Sequence, residues 1–339
     1  MVTPPIPDVF DTGALVFALI FAGIAAIIAI VIGVVKSDGS RIAFRIFESL
    51  ALTFLGAILA RGFIHLLLAS AADVPAASWL VGWGFMIINS ILDLFVNLFS
   101  RIGGTGEVFF TRPDVLMWVA TFLGAFTGMM GGLWSSYRWD RLGVFAFVLD
   151  VTWGLNGMLL STLLHIINFA WADHSDDVTT AATLGDRRRN NHRYRRGVAL
   201  KPGFALTLGN VMSNCYGGGN PSPGLWTHEN THVWQNRVFG PFFTLSYLGW
   251  FITASLLFGL WAGLARYGFP RGLMEGPTEV GYLSNPWEVW AYKVGESMGE
   301  SPRSSYGPLV FSDVVAIITG IIFSIAFIAL MVALIAGAW

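Results

Sequence analysis

The sequence predicts a polytopic α-helical membrane protein of about six to seven transmembrane helices, with a small α+β insert on its cytoplasmic side. Three observations predict it. Hydrophobic residues make up 55% of the 339 and charged residues 12%, with a mean hydropathy of +0.63, too apolar for a soluble domain. Apolar runs recur at the length of a membrane span, and Lys and Arg concentrate in alternate loops. The net charge of −1 leaves no global basic field for nucleic acid. Cys215 is the only cysteine, so there is no intrachain disulfide and no thiolate cluster; any metal must be held by His and carboxylate.

The apolar runs fall at roughly 13–35, 46–71, 79–100, 114–135, 143–169, 241–266 and 309–338, each near the ~20 residues that cross hydrocarbon as a helix. The first follows MVTPPIPD, which lacks a basic n-region and a cleavage pattern, so it reads as a retained helix. Polar stretches near 172–237 and 267–308 flank the sixth run. Lys36, Arg41 and Arg45 lie in the first loop and Arg101 and Arg112 in the third; Arg187, Arg188, Arg189, Arg193, Arg195, Arg196 and Lys201 lie in the insert. The second loop has no Lys or Arg and the fourth only Arg138 and Arg141, which puts the odd loops in the cytoplasm and the N-terminus outside. DRRRNNHRYRR reads as a topology anchor that also suits anionic lipid headgroups. No nucleic-acid partner is expected.

The chemistry concentrates in WTHENTHVWQ, residues 226–235. On a helix, His228 and His232 are one turn apart and point the same way, so two imidazoles can hold one metal. Glu229, beside the first, can reach a metal-bound water as general base. Before it, GVALKPGFALTLGNV reads as a strand or hairpin, and YGGGNPSPG as a loop. After it, NPWEVWAY opens a helix: Asn285 or Ser284 can cap it, Pro286 suits its first turn, and Glu288 emerges as a candidate third ligand, with Glu275, Glu279 and Glu296 as rivals. The plainer alternative is a helix starting near Thr227, with His228 and Glu229 capping it in water and Trp234 in the aromatic belt.

THENTHVWQ followed by NPWEVWAY resembles the two metal-binding helices of gluzincin-type HExxH…E zinc metallopeptidases. It also resembles uncharacterised bacterial proteins with a strand ending in LGN, then HExxHxxQ and NPxExxAY. The resemblance covers about 197–295. It implies one zinc ion held by His228, His232 and Glu288, with Glu229 as catalytic base, in a bacterial inner (cytoplasmic) membrane protein. The chain departs from membrane-bound gluzincins in having one apolar stretch between the motifs, and in showing no identifiable transition-state Tyr or His. The expected organisation is a five-helix bundle over 1–171, a metallopeptidase-like region over 172–308 and a C-terminal transmembrane helix over 309–339.

Three ligands on one ion must share one depth, so the apolar segment 241–266 cannot cross once; it must return to its starting side, with Gly249 and Gly259 as places to break. Both termini are then outside. Within the spans, Arg61 and His65, the Asn89–Asp93–Asn97 stripe, and Asp150, Asn156, His165 and Asn168 should face inward and pair; the expected partner of Arg61 is Asp93 or Asp150. These residues form no acidic ladder, so structural pairing outranks a transport path.

The leading expectation is a membrane-bound metallopeptidase acting on a membrane-associated or cytoplasmic peptide or protein, docked along 204–211. The alternative is a non-catalytic subunit or assembly factor of a larger membrane complex with a structural or vestigial metal site. A transporter is the third and weakest.

Overall fold

The structure, a computed structural model, describes residues 6–35, 41–70, 113–169, 189–199, 204–215, 223–256, 278 and 281–295. The expected spans 79–100 and 309–338, residues 257–266 of the non-crossing segment, the 216–222 loop, Asp93 and its stripe, and Glu275, Glu279 and Glu296 lie outside the described residues.

Helices dominate the described residues. Three are long and apolar enough to cross a membrane, consistent with membrane insertion: α1 (Thr12–Val35), α2 (Ile42–Ser70) and α3 (Pro113–Leu133). On α1, Ala14, Ala18, Ala22, Ala25, Ala29 and Gly33 are buried, while Ile20, Ile24, Ile27 and Val31 face outward. Small residues inside and large branched ones outside invert the pattern of a water-soluble bundle, as helices packing in lipid do. α2 and α3 approach until their backbones touch. A Cβ on Gly56 would overlap the Gly124 carbonyl, and Cβ atoms on Gly128 and Gly132 would overlap the Leu52 and Ser49 backbones.

The fifth apolar run does not form one straight span. It divides into α4 (Arg141–Val151) and α5 (Leu155–Phe169), bent by 88°. Asp140 caps α4, accepting from Gly143 N at 2.8 Å, and the helix ends at Thr152. Two contacts with a later helix, α6 (Pro223–Phe239), account for the break: Trp153 Nε1 donates to Val238 O at 3.0 Å, and glycine at 157 leaves the volume that the Asn236 side chain fills.

The insert contributes a small sheet. β1 (His192–Arg193) pairs parallel with β3 (Val211–Ser213), and β2 (Leu206–Leu208) pairs antiparallel with β3, giving the order β1-β3-β2. The hairpin expected before the His motif is therefore present. Its two-residue turn is Gly209–Asn210; Gly209 has φ +58°, and a Cβ there would overlap the Gly157 carbonyl of α5. The polar residues of α5 face this sheet. Ser161 donates to Asn210 Oδ1 at 2.7 Å, His165 Nδ1 meets Tyr194 OH at 2.7 Å, and Asn168 Nδ2 donates to Ser213 Oγ at 3.0 Å.

The expected Arg61–Asp150 pair is not formed. Arg61 instead donates to the carbonyls of Asp8 at 2.9 Å and Val9 at 3.2 Å and lies over Trp118, while His65 Nδ1 meets Pro7 O at 2.9 Å. The N-terminal segment supplies these acceptors together with the Asp11 carboxylate, whose Oδ2 lies 3.4 Å from Arg61 Nη2, while Nη1 has no hydrogen-bond partner. Asp150 pairs with Arg237 of α6, Nε to Oδ1 at 2.8 Å and Nη2 to Oδ2 at 2.7 Å, both side chains fully buried. Tyr137 OH and Asn210 Nδ2 also donate to Asp150 Oδ2, at 2.7 and 3.2 Å. This network bonds the back of α6 to the helical bundle.

Two further helices complete the site: α7 (Pro241–Ala254) and α8 (Pro286–Gly295). The chain before and into α8 retraces α7 backwards. Gly281 lies against Ser255 and Phe251, Trp250 Nε1 donates to Ser284 Oγ at 3.2 Å, Asn285 Nδ2 donates to Tyr247 O at 3.2 Å, and Trp287 Nε1 donates to Ser246 Oγ at 3.0 Å.

Candidate metal centre

α6 begins at Pro223, so His228 and Glu229 lie in its second turn and do not cap it. Trp234 packs against a buried cluster and over Arg237, 4.9 Å from its guanidinium. The capping alternative therefore fails: the helix starts a turn earlier, and both residues are buried. α8 starts as its sequence suggests. Asn285 Oδ1 accepts from Trp287 N at 3.2 Å, Pro286 is the first residue, and Glu288 lies in the first turn, where the positive end of the helix dipole favours a carboxylate.

The two helices bring their side chains together. His228 Nε2 and His232 Nε2 are 3.2 Å apart; Glu288 Oε2 is 3.2 Å from the first and Oε1 is 3.3 Å from the second. A four-coordinate ion with bonds of about 2.0 Å spaces its ligand atoms about 3.3 Å apart; taking one atom from each residue, the three donors lie within 4.8 Å of one another, close enough to share one ion. The lone pairs of two imidazoles and a carboxylate cannot face one another at this range without a cation or protons between them. Glu288 Oε2 is buried and meets His228 Nε2 at 3.2 Å. These three side chains form a candidate metal site.

The metal centre is the one place among the described residues where three such groups converge. Comparison of the chain with protein-family models, curated proteins and solved structures finds no match. The case for the centre therefore stands on its geometry.

Its surroundings hold the ligands from behind. His232 Nδ1 meets Gln235 Oε1 at 2.8 Å, and Gln235 Nε2 donates to Trp287 O at 3.0 Å. Tyr247 OH donates to Glu288 Oε1 at 2.6 Å. The ring of Tyr292 lies 4.4 Å from that of His228, and Tyr292 OH donates to Tyr282 OH at 3.1 Å. Glu229 Oε2 accepts from Thr207 Oγ1 of β2 at 2.5 Å, so the expected base is tied to an outer strand of the sheet.

The electrostatics are those of a charged cluster taken out of water. Burial pushes the His232 pKa down, but the Glu288 carboxylate, then Glu229 and Gln235, more than reverse this and raise it to about 9. Burial pushes Glu288 up, and the adjacent imidazoles overcome it and hold the carboxyl well below its usual range. Without a metal, the cluster thus keeps a proton between His232 and Glu288. Burial and then Glu288 push Tyr292 up, so its phenol remains a donor.

The motif spacing identified His228, Glu229, His232 and Glu288. Gln235 and Tyr292 close the HExxHxxQ and NPxExxAY patterns, whereas Tyr247 lies outside both. Gln235 follows His232 by three positions and so lies on the same helix face, a signal present in the sequence. Tyr292 follows Glu288 by four positions on the same helix, a local signal too, whereas Tyr247 comes from a separate helix and carries none.

Proposed function

We propose that this protein is a membrane-bound, zinc-dependent metallopeptidase of gluzincin type that hydrolyses peptide bonds of a membrane-associated or cytoplasmic substrate. One observation carries the reading: two imidazoles and a carboxylate converge within 4.8 Å of one another, with Glu229 one residue from the first ligand. The N₂O donor set suits zinc, which when bound would polarise a carbonyl and acidify a water.

The rest is the work of the chain's own residues. Glu229 takes the proton of the attacking water and hands it to the leaving amine. The Thr207 hydroxyl holds Glu229 Oε2, leaving Oε1 for proton transfer. Thr207 lies on β2, an outer strand, so the residue that orients the base also lies where an extended peptide would add to the sheet. Tyr247 and Gln235 keep Glu288 and His232 aimed at the centre. The apolar helices α1, α2 and α3 would anchor this region in the membrane, and the basic residues of the insert favour the cytoplasmic face.

A second reading has its own support. None of His228, Glu229, His232 and Glu288 is more than 6% exposed, and such enclosure suits a structural ion in a non-catalytic subunit of a membrane complex. Glu229→Gln separates the two. Under the peptidase reading, this variant retains zinc and loses hydrolysis of a mixed peptide library, while His232→Ala loses both. Hydrolysis unchanged by Glu229→Gln, or a stoichiometric partner and no hydrolysis in native purifications, rejects the enzyme.

A further inference from the structure

We infer that Gln235 is a positioning residue of the metal centre, fixing which nitrogen of His232 faces the ion and holding the two ligand-bearing helices in register. The inference rests on the reading of His228, His232 and Glu288 as metal ligands.

Gln235 is 1% exposed, so its amide must find partners inside the protein. Nε2 donates to the Trp287 carbonyl at 3.0 Å. A carbonyl only accepts, so this contact settles the amide's orientation and turns Oε1 toward His232 Nδ1, 2.8 Å away. Oε1 also only accepts, so Nδ1 carries the hydrogen and the Nε2 lone pair is left facing His228 and Glu288. An outer partner of this kind sets both the tautomer and the ring orientation of a metal-binding histidine.

The second bond extends the same control across the site. Trp287 immediately precedes Glu288, so one side chain on α6 fixes the α8 backbone at the residue next to the third ligand. His232 and Glu288 come from helices more than fifty residues apart in sequence, yet must hold ligand atoms within 3.3 Å of each other. The two bonds of Gln235 span that gap directly. His228 supplies the contrast: its Nδ1 is buried without a hydrogen-bond partner, and its ring is held by packing against Tyr292. Of the two imidazoles, His232 is therefore the one whose orientation depends on an outer hydrogen bond.

The test uses the full-length chain in detergent and reads zinc affinity by competition with a chelator. Gln235→Leu removes both bonds and should weaken zinc binding about 10- to 100-fold, the usual effect of losing an outer partner. Gln235→Glu keeps an acceptor for His232 Nδ1 but loses the donor to Trp287, and should lose less than about 10-fold. The cobalt-loaded Gln235→Glu protein should keep the intense visible absorption of four-coordinate geometry, which gives a reading even if Gln235→Leu does not fold. Zinc affinity of Gln235→Leu within about threefold of wild type, or a loss in Gln235→Glu beyond about 100-fold, overturns the inference. Wild-type protein that takes up no zinc rejects the underlying metal reading, whereas wild-type binding left unchanged by Gln235→Leu rejects this inference alone.

Discussion

Asp150→Ala should be among the most destabilising single substitutions available in this protein. Both members of the Asp150–Arg237 pair are fully buried, and the aspartate accepts two bonds from the guanidinium, at 2.8 and 2.7 Å. Removing it leaves Arg237 with the Asn190 carbonyl as its remaining acceptor, while Nη1 already has no partner. An uncompensated buried charge of this kind costs about 3–5 kcal/mol. Tyr137 and Asn210 lose an acceptor too, adding roughly 0.5–1.5 kcal/mol each. Arg237→Met should cost less, because Asp150 keeps those two donors. Combining Arg237→Met with Asp150→Ala removes both charges and should recover part of the loss, giving a coupling of a few kcal/mol, within the ~0.5–3 kcal/mol seen for contacting residues or slightly above it. Equilibrium unfolding in mixed micelles, followed by tryptophan fluorescence, measures each corner of the cycle. A cost below about 1 kcal/mol for Asp150→Ala, or additive effects in the double variant, would refute the reasoning.

Other expectations follow from the packing and the charges. Gly128→Ala places a methyl group on the Leu52 backbone and should destabilise by about 1–3 kcal/mol, whereas Gly23→Ala meets nothing within 4 Å and should stabilise α1 by up to about 1 kcal/mol; the same unfolding assay compares them. Burial, and then Arg237, hold the His192 pKa down at about 3. A base depressed on folding contributes stability that is present above its unfolded value of about 6.5 and is lost below it, at up to about 1.4 kcal/mol per pH unit; His192→Gln should flatten this part of the acid limb. His232 has the opposite sign. Its raised pKa of about 9 stabilises the metal-free fold fully below about 6.5, and that contribution disappears as the pH rises through 9. Because zinc must displace this proton, apparent affinity should rise about tenfold per pH unit up to about 9 and then level off, and pH-independent binding between 6 and 8 would contradict this.

The site was legible where its signal is local. An i, i+4 pair of histidines survives any tertiary context once the segment is helical, and Asn285–Pro286 announces the helix that delivers Glu288. The LTLGNV alternation likewise became a hairpin, turning at Gly209. What the sequence hid was pairing at long range. Arg61 and Asp150 looked like partners because both interrupt apolar runs, yet Arg61 is met by the N-terminal segment, through the Asp8 and Val9 carbonyls and Asp11, and Asp150 by Arg237. The break at Thr152–Gly154 was hidden for a related reason: hydropathy averages over it, and its cause lies in Asn236 and Val238 on a helix more than eighty residues away.

The proposed function requires that His228, His232 and Glu288 hold one metal ion together. Elemental analysis of the full-length protein, purified with zinc present and no chelator, tests it most directly, alongside His228→Ala, His232→Ala and Glu288→Ala. One zinc per chain is expected in the wild type, with loss of that zinc in each variant. Wild-type protein free of metal, or variants that retain the same stoichiometry, would contradict it.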